Sequence, residues 1–219
     1  MYWNIKSLLG TLLFSVFLAS VMKAQVTETI PKTSKEKERF GGLYLGYVQP
    51  NKFGITNGYG TGLDYKGGFS IKYYRNLYGL SGDWKNLVLG VEFNLIKATV
   101  TDKDMFGNYE KVTNTNTIKL IAGYAFSLNK HIDFTPQFGF STDLSYRGND
   151  SGKDSFYDGG LSYSITPEFT YRIYKSIGVY IGPELRYEHL KMGVAKLGPV
   201  NFNHNMLFNI NVGVSLFLK

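Results

Sequence analysis

Cysteine is absent from this chain of 219 residues. A disulfide scaffold, a thiolate metal site and a lipid-anchored cysteine after a signal peptide are therefore excluded. Long apolar runs are scarce too. Beyond the N-terminal segment, no stretch approaches the ~18 consecutive apolar residues of a transmembrane helix. No phosphate-binding glycine loop follows a strand and opens a helix, so the sequence predicts no nucleotide and no other cofactor.

The charged residues of the chain are spread along the sequence and form no basic or acidic cluster. The formal net charge is +7, and +5 once Lys6 and Lys23 are set aside with the N-terminal segment. Basic residues are dispersed and interleaved with acids, whereas a nucleic-acid interface needs them on one face. We therefore predict no nucleic-acid partner, and attraction to anionic lipid headgroups accounts for the excess of basic residues.

The N-terminal 39 residues differ from the rest. Residues 1–24 predict a secretory signal peptide, with Lys6 as the positive region, a mostly apolar run over 8–21 and Ala24 before the cleavage point. Met22 departs from the small residue expected two positions earlier, and an uncleaved anchor is the alternative. Residues 25–39 are polar and predict a flexible periplasmic segment. Residues 40–219 then form one domain.

Apolar and polar residues alternate throughout that domain. In the last stretch, 205–218, every even-numbered residue is apolar and the odd-numbered residues are mostly Asn, Gly and Ser. We call these two alternating sets the apolar parity and the polar parity of a strand. Neighbouring strand side chains point to opposite faces, and ~9–11 tilted residues cross a bilayer. The pattern recurs and predicts eight strands at 40–49, 63–75, 87–100, 112–127, 132–146, 161–173, 177–190 and 205–218. The predicted fold is all-β, an eight-stranded antiparallel transmembrane β-barrel.

A soluble β-sandwich also alternates, and two features favour the barrel. The polar parity is rich in Gly, Ser, Thr and Asn, which suit a narrow lumen. Connections after strands 1, 3, 5 and 7 are long, and those after strands 4 and 6 are tight. The connection 76–86 is longer than this pattern predicts. Pro136, Pro167 and Pro183 lie inside neighbouring strands and predict a bulge or a local break in the ladder, or else edge strands of a sandwich.

The residues at the chain end carry a family resemblance. Asn211, Gly213, Leu216 and Leu218 are similar to the C-terminal signal of OmpA/OmpX-like outer-membrane barrels of Gram-negative bacteria, although Lys219 follows and Leu218 replaces the usual aromatic. The resemblance implies assembly by the barrel-assembly machinery, contact with outer-membrane lipid and lipopolysaccharide, and possible outer-membrane protein partners. It implies a non-enzymatic role in envelope structure, in adhesion, or as an accessory subunit.

Charged residues on the predicted inward parity are nearly balanced in sign. The apolar parity, including Leu63, Tyr65 and Leu144, is predicted to face lipid. Unpaired charges in a narrow lumen are costly, so a salt-bridge network that plugs the barrel is expected, with a narrow ion path as the alternative. The predicted inward charges are Asp64, Lys66, Lys72, Glu92, Lys119, Asp133, Asp143, Glu168, Arg172, Glu184, Arg186 and Glu188. The predicted network consists of Lys72, Glu92, Lys119, Glu168, Arg172, Glu184 and Arg186.

The three histidines raise an enzymatic alternative. Small barrels that act as lipid A deacylases or acyltransferases use a His, a Ser and often an acid near the outer surface, and His189 and His204 fall at the same end. No His-x-Ser motif is present, so His131, His189 and His204 are interpreted as non-catalytic. The acids in loop 147–160, Asp150, Asp154 and Asp158, do not match the calcium-loop spacing, so no metal site is predicted.

Overall fold

A computed structural model describes residues 41–52, 62–77, 84, 86–102, 109–149, 156–190 and 204–217. At 116, 117, 149 and 156–158 it describes the backbone alone. The predicted signal peptide (1–24), the predicted periplasmic segment (25–39), Leu218 and the acids Asp150 and Asp154 lie outside the described residues.

Antiparallel strands make up almost all of the described chain. Pairing follows chain order, β1 also pairs with β9, and β4 pairs with β6. β5 continues the line of β4 after an interruption at Ala125, so nine segments form eight barrel strands. The strands are β1 (Gly41–Lys52), β2 (Leu63–Asn76), β3 (Leu87–Val100), β4 (Lys111–Tyr124), β5 (Phe126–Ser127), β6 (Ile132–Asn149), β7 (Phe156–Arg172), β8 (Ile177–Leu190) and β9 (His204–Leu216).

The first and last strands close the sheet. Their ladder runs from Leu43 opposite Leu216 to Lys52 opposite Leu207. Each barrel strand of the described chain therefore has two neighbours, and closure leaves no strand edge to be satisfied by solvent. The predicted eight-stranded antiparallel β-barrel is confirmed, and the sandwich alternative is wrong.

The connections divide the barrel into two unlike ends. At the turn end, residues 128–131 and 173–176 form tight turns, and Ile173 N donates to Ile177 O at 3.0 Å. The connection between β2 and β3 also lies there, and Leu77 N donates to Leu87 O at 3.0 Å. At the loop end, the connections between β1 and β2, β3 and β4, β6 and β7, and β8 and β9 pass largely through residues outside the described set.

Apolar side chains cover the outer wall. Ile165 is 61% exposed and Leu120 is 55% exposed, and exposed apolar side chains of this kind occur on all eight barrel strands. A continuous apolar surface is rare on a soluble monomer. No helix among the described residues is long and apolar enough to cross a membrane. The apolar belt consists of Leu45, Tyr47, Phe69, Ile71, Tyr73, Leu89, Val91, Ile118, Leu120, Phe138, Tyr163, Ile165, Tyr171, Val179, Ile181, Leu185, Val212 and Val214.

A β-bulge in β2 reverses the facing of its first residues. Asp64 and Lys66 were predicted to point inward, but they form an exposed ion pair on the outer wall. Leu63 and Tyr65, predicted to face lipid, are buried inside. The register shifts between Tyr65 and Gly67, and one extra residue exchanges the two faces. Gly67 has φ of 102°, a left-handed conformation that favours glycine at such a bulge.

Two further bulges occur at the same height, in β4 and β6. Glu92 pairs with Lys119 but Asn94 pairs with Asn116, so β4 carries an extra residue. In β6 the extra residue lies between Ser141 and Leu144. The predictions for Asp143 and Leu144 are wrong for this reason. Asp143 is exposed and Leu144 is buried.

The interior prolines interrupt the β7–β8 ladder without shifting its register, while the β6–β7 ladder continues past them. Pro136 lies opposite Pro167. Between β7 and β8, pairing stops after Ile165 opposite Leu185 and resumes at Phe169 opposite Ile181, in the same register. Proline has no N–H to donate, which explains the gap around Pro167 and Pro183. The predicted local break is confirmed, and in a closed barrel these are not edge strands.

Candidate functional site

A layer of tyrosines closes the lumen at the turn end. Tyr44 and Tyr74 are stacked with ring centroids 4.7 Å apart, and Tyr180 meets Tyr44 edge-on at 5.2 Å. Val88 and Ala125 complete this tyrosine layer. Gly46 leaves the space that the Tyr180 ring occupies, because a Cβ at Gly46 would lie 2.0 Å from the Tyr180 hydroxyl oxygen.

Above the tyrosine layer lies the first buried ion pair, between Lys72 and Glu168. The Lys72 ammonium is 5.1 Å from the ring centroids of Tyr44 and Tyr180 and 5.5 Å from that of Tyr74, so three rings add cation–π attraction. The Tyr74 hydroxyl donates to Glu168 Oε1 at 2.7 Å, and Gln137 Nε2 donates to the same oxygen at 3.2 Å. Both charges are thus fully partnered away from water.

The second group of charges is centred on Lys119. Its Nζ lies 2.7 Å from Glu92 Oε2 and 2.6 Å from Glu184 Oε1. The other oxygen of Glu184 accepts from Asn209 Nδ2 at 2.9 Å and from Asn211 Nδ2 at 3.4 Å. Two buried carboxylates therefore share the Lys119 ammonium, and its removal would break both ion pairs.

Arg186 forms the third group and is fully buried. Its Nη2 lies 2.8 Å from Glu188 Oε1 and donates to Asn114 Oδ1 at 3.2 Å, and its Nη1 donates to Asn94 Oδ1 at 3.1 Å. Glu188 also accepts from Asn114 at 3.0 Å and from Asn205 at 2.8 Å. The guanidinium fork suits this set of several oxygen acceptors.

The structure brings six of the seven predicted network residues into one buried column. Lys72, Lys119 and Arg186 supply the cations, with Glu188 as an additional member of the set. Arg172 lies apart at the turn end, where it pairs with Asp133 at 2.6 Å and remains 26% exposed. The lumen network is defined hereafter as Lys72, Glu92, Lys119, Glu168, Glu184, Arg186 and Glu188.

An aliphatic layer covers the network at the loop end. The sequence prediction missed this layer, because its residues from β2 and β6 belonged to the parity predicted to face lipid, and only the bulges turn them inward. Beneath it, the hydroxyl oxygens of Tyr65 and Tyr146 form a hydrogen bond of 3.1 Å, and Asn205 Nδ2 donates to both hydroxyls. The aliphatic layer consists of Val48, Leu63, Ile96, Ala98, Val100, Val112, Leu144, Leu190 and Leu207.

His189 and His204 meet on the outer wall at the loop end. They lie directly opposite each other in the β8–β9 ladder, with their Nδ1 atoms 3.4 Å apart. Tyr187 stacks on His204, with ring centroids 5.6 Å apart, and its hydroxyl contacts Nδ1. Among the described residues, these rings contact each other and Tyr187, and neither a serine nor a carboxylate. His131 lies at the turn end, with Nδ1 3.3 Å from Arg172 O.

The described residues of the C-terminal signal occupy the closing seam. Gly213 lies opposite Gly46 of β1 and Tyr180 of β8. Asn211 points inward to Glu184, and Leu216 lies opposite Leu43 and Ile177. These residues are therefore part of the barrel wall, whatever signal they carry. Within the described residues, no group of three or more His, Asp or Glu side chains is arranged to hold a metal ion.

No family model matches the chain, and no curated protein matches it. Two solved structures of similar fold are Neisserial surface protein A (NspA) and Ail, the attachment invasion locus protein of Yersinia pestis. NspA matches with a TM-score of 0.49 and 13% identity over 83% of this chain and 99% of that chain. Ail matches with a TM-score of 0.46 and 12% identity over 80% of this chain and 96% of that chain. At these identities the likeness concerns the fold alone.

Proposed function

We propose that this protein is a non-enzymatic outer-membrane barrel of a Gram-negative bacterium that holds binding loops at the cell surface. The observation that carries the proposal is the lumen, in which the tyrosine layer and the aliphatic layer enclose a column of paired charges. A barrel filled in this way serves as a rigid anchor and not as a conduit. The four connections at its loop end are then the parts free to recognise a partner.

The outer wall supports a membrane location. Below the three bulges the wall is apolar, and a band of lipid-facing residues is what a bilayer requires of a spanning barrel. Above the bulges Asp64, Lys66 and Asp143 face outward, together with the exposed Lys97 and Lys111. We infer that the bulges mark the level where the barrel leaves the hydrocarbon, and that the polar rim meets lipopolysaccharide headgroups with its loops outside the cell.

Partners follow from the same placement. The barrel-assembly machinery is the expected partner during biogenesis, through Asn211, Gly213, Leu216 and Leu218, and secretion by a cleaved signal peptide over 1–24 precedes it. In the mature protein, the roles that the loops best support are adhesion, envelope structure, or an accessory place beside another outer-membrane protein. A lipid A-modifying activity would need a nucleophile or an acid beside His189 or His204, where the described contact is Tyr187.

We predict that the reconstituted protein gives no discrete unit conductance in planar bilayers, because buried side chains cover the network at both ends. The same preparation should show a heat-modifiable band on electrophoresis, so that the absence of current is measured on a folded barrel. Reproducible single-channel steps from the folded form would contradict the anchor role. A protein recovered from the periplasm without a mobility shift would contradict the membrane location.

A further inference from the structure

We propose that His189 and His204 form a two-histidine site for a divalent transition-metal ion such as Zn²⁺. The site lies on the outer wall at the loop end. This site is independent of the binding role proposed for the loops. It lies at the end of the barrel that is distant from His131. No other pair of histidines meets within the described residues.

The strand ladder fixes the spacing of the two rings. His189 and His204 occupy directly opposite positions of β8 and β9, so their side chains leave the sheet on the same face. The ring centroids are 5.0 Å apart and the two Nδ1 atoms are 3.4 Å apart. The pair is the last rung of a β8–β9 ladder that runs without a break from Ile177 opposite Leu216, so continuous strand pairing fixes the backbone of both histidines from one side.

That separation suits a shared metal ion. Histidine nitrogens bind Zn²⁺ at about 2.0–2.1 Å, and two ligands at a tetrahedral angle are then roughly 3.3–3.4 Å apart. The observed Nδ1–Nδ1 distance of 3.4 Å is in this range. A metal ion that displaces the Tyr187 hydroxyl from Nδ1 of His204 can therefore bridge the pair, and water fills the other positions. Imidazole nitrogen is also a favoured ligand of Cu²⁺ and Ni²⁺.

Tyr187 lies beside one of the two ligands. Its hydroxyl contacts Nδ1 of His204, the same nitrogen whose lone pair a metal ion would take. A bound ion therefore takes the place of this hydrogen bond. His204 is exposed and His189 is half-buried, so an ion from the aqueous phase has access.

The test is a titration of the full-length folded protein in detergent with ZnCl₂, followed by calorimetry, and with CuCl₂, followed by electron paramagnetic resonance. We expect one ion per chain at neutral pH and nitrogen hyperfine splitting from the bound copper. His189→Gln and His204→Gln should each weaken binding by about tenfold or more. His131→Gln is the matched control and should leave binding unchanged.

Electrophoretic heat-modifiability verifies that each variant is folded before it is titrated. Binding that persists in the folded double variant His189→Gln/His204→Gln would overturn the proposal, since the ion would then be held elsewhere. An absence of saturable binding to the folded wild-type chain would overturn it as well. Binding lost equally in His131→Gln would show a non-specific histidine effect, which also contradicts a site at the loop end.

Discussion

Replacing Lys119 by methionine should lower the free energy of unfolding by about 3–5 kcal/mol, the usual cost of breaking a buried ion pair from one side. Methionine retains much of the length of the side chain but removes the charge shared by Glu92 and Glu184. Two buried carboxylates then remain close together without their ion-pair partner, and Arg186 still attracts Glu184. The measurement is urea unfolding of the refolded protein in lipid vesicles, followed by tryptophan fluorescence or by the heat-modifiable band.

Lys66→Met is the matched control for this variant. Lys66 also pairs with a carboxylate, that of Asp64, but both side chains are more than half exposed on the outer wall. An exposed ion pair contributes little to stability, so Lys66→Met should unfold close to the wild-type midpoint. Glu92→Gln combined with Glu184→Gln should recover part of the stability lost in Lys119→Met. Equal effects of Lys119→Met and Lys66→Met would contradict the lumen network.

Gly213→Ala should destabilise the barrel by about 1–3 kcal/mol, the range for overpacking a well-filled site. A Cβ at Gly213 would lie 2.1 Å from Leu45 O and 2.6 Å from Gly46 Cα, both of which are backbone atoms of β1. Neither atom can yield without opening the seam between β1 and β9. The measurement is the yield and stability of the protein refolded in detergent without any cellular component.

Refolding in detergent separates two roles of this glycine. If Gly213 served only as part of a signal read by the barrel-assembly machinery, Gly213→Ala would refold normally in the purified system and fail only in cells. Gly182→Ala is the matched control, because the nearest atom to its added methyl would be the Thr166 side-chain methyl at 3.0 Å. Normal refolding and stability of Gly213→Ala in detergent would contradict the packing role.

The two-residue period of the sequence predicted the architecture because a lipid-facing wall repeats it in every strand. The bounds of β3 and β8 match the predicted 87–100 and 177–190. What the period could not predict is a change of face within a strand. The bulge at Gly67 adds one residue, and its only sequence signal is the pair Gly67–Gly68 after Lys66, which also occurs in straight strands. Asp64 and Lys66 were therefore placed on the wrong face.

The lumen network could likewise be predicted only in part. The inward position of Glu168, Glu184 and Arg186 could be predicted, because β7 and β8 contain no bulge and alternate from end to end. Which cation pairs with which carboxylate depends on the stagger of the strands around the barrel. Alternation within one strand carries no information on that stagger, so the ion pairs could not be predicted. The aliphatic layer was missed for a further reason. Leu63 and Leu144 look lipid-facing until the bulges are known.

Spin-label accessibility along β2 tests the membrane barrel most directly, and the absence of native cysteine makes each introduced thiol unique. Single labels at Ile71→Cys and Tyr73→Cys lie in the apolar belt, and one at Lys66→Cys lies at the bulge, on the exposed polar part of the outer wall. In vesicles, we predict that the labels at 71 and 73 are relaxed by oxygen and protected from a water-soluble nickel chelate, while the label at 66 shows the reverse. Nickel access to 71 and 73 equal to that at 66 would contradict a barrel that spans the membrane.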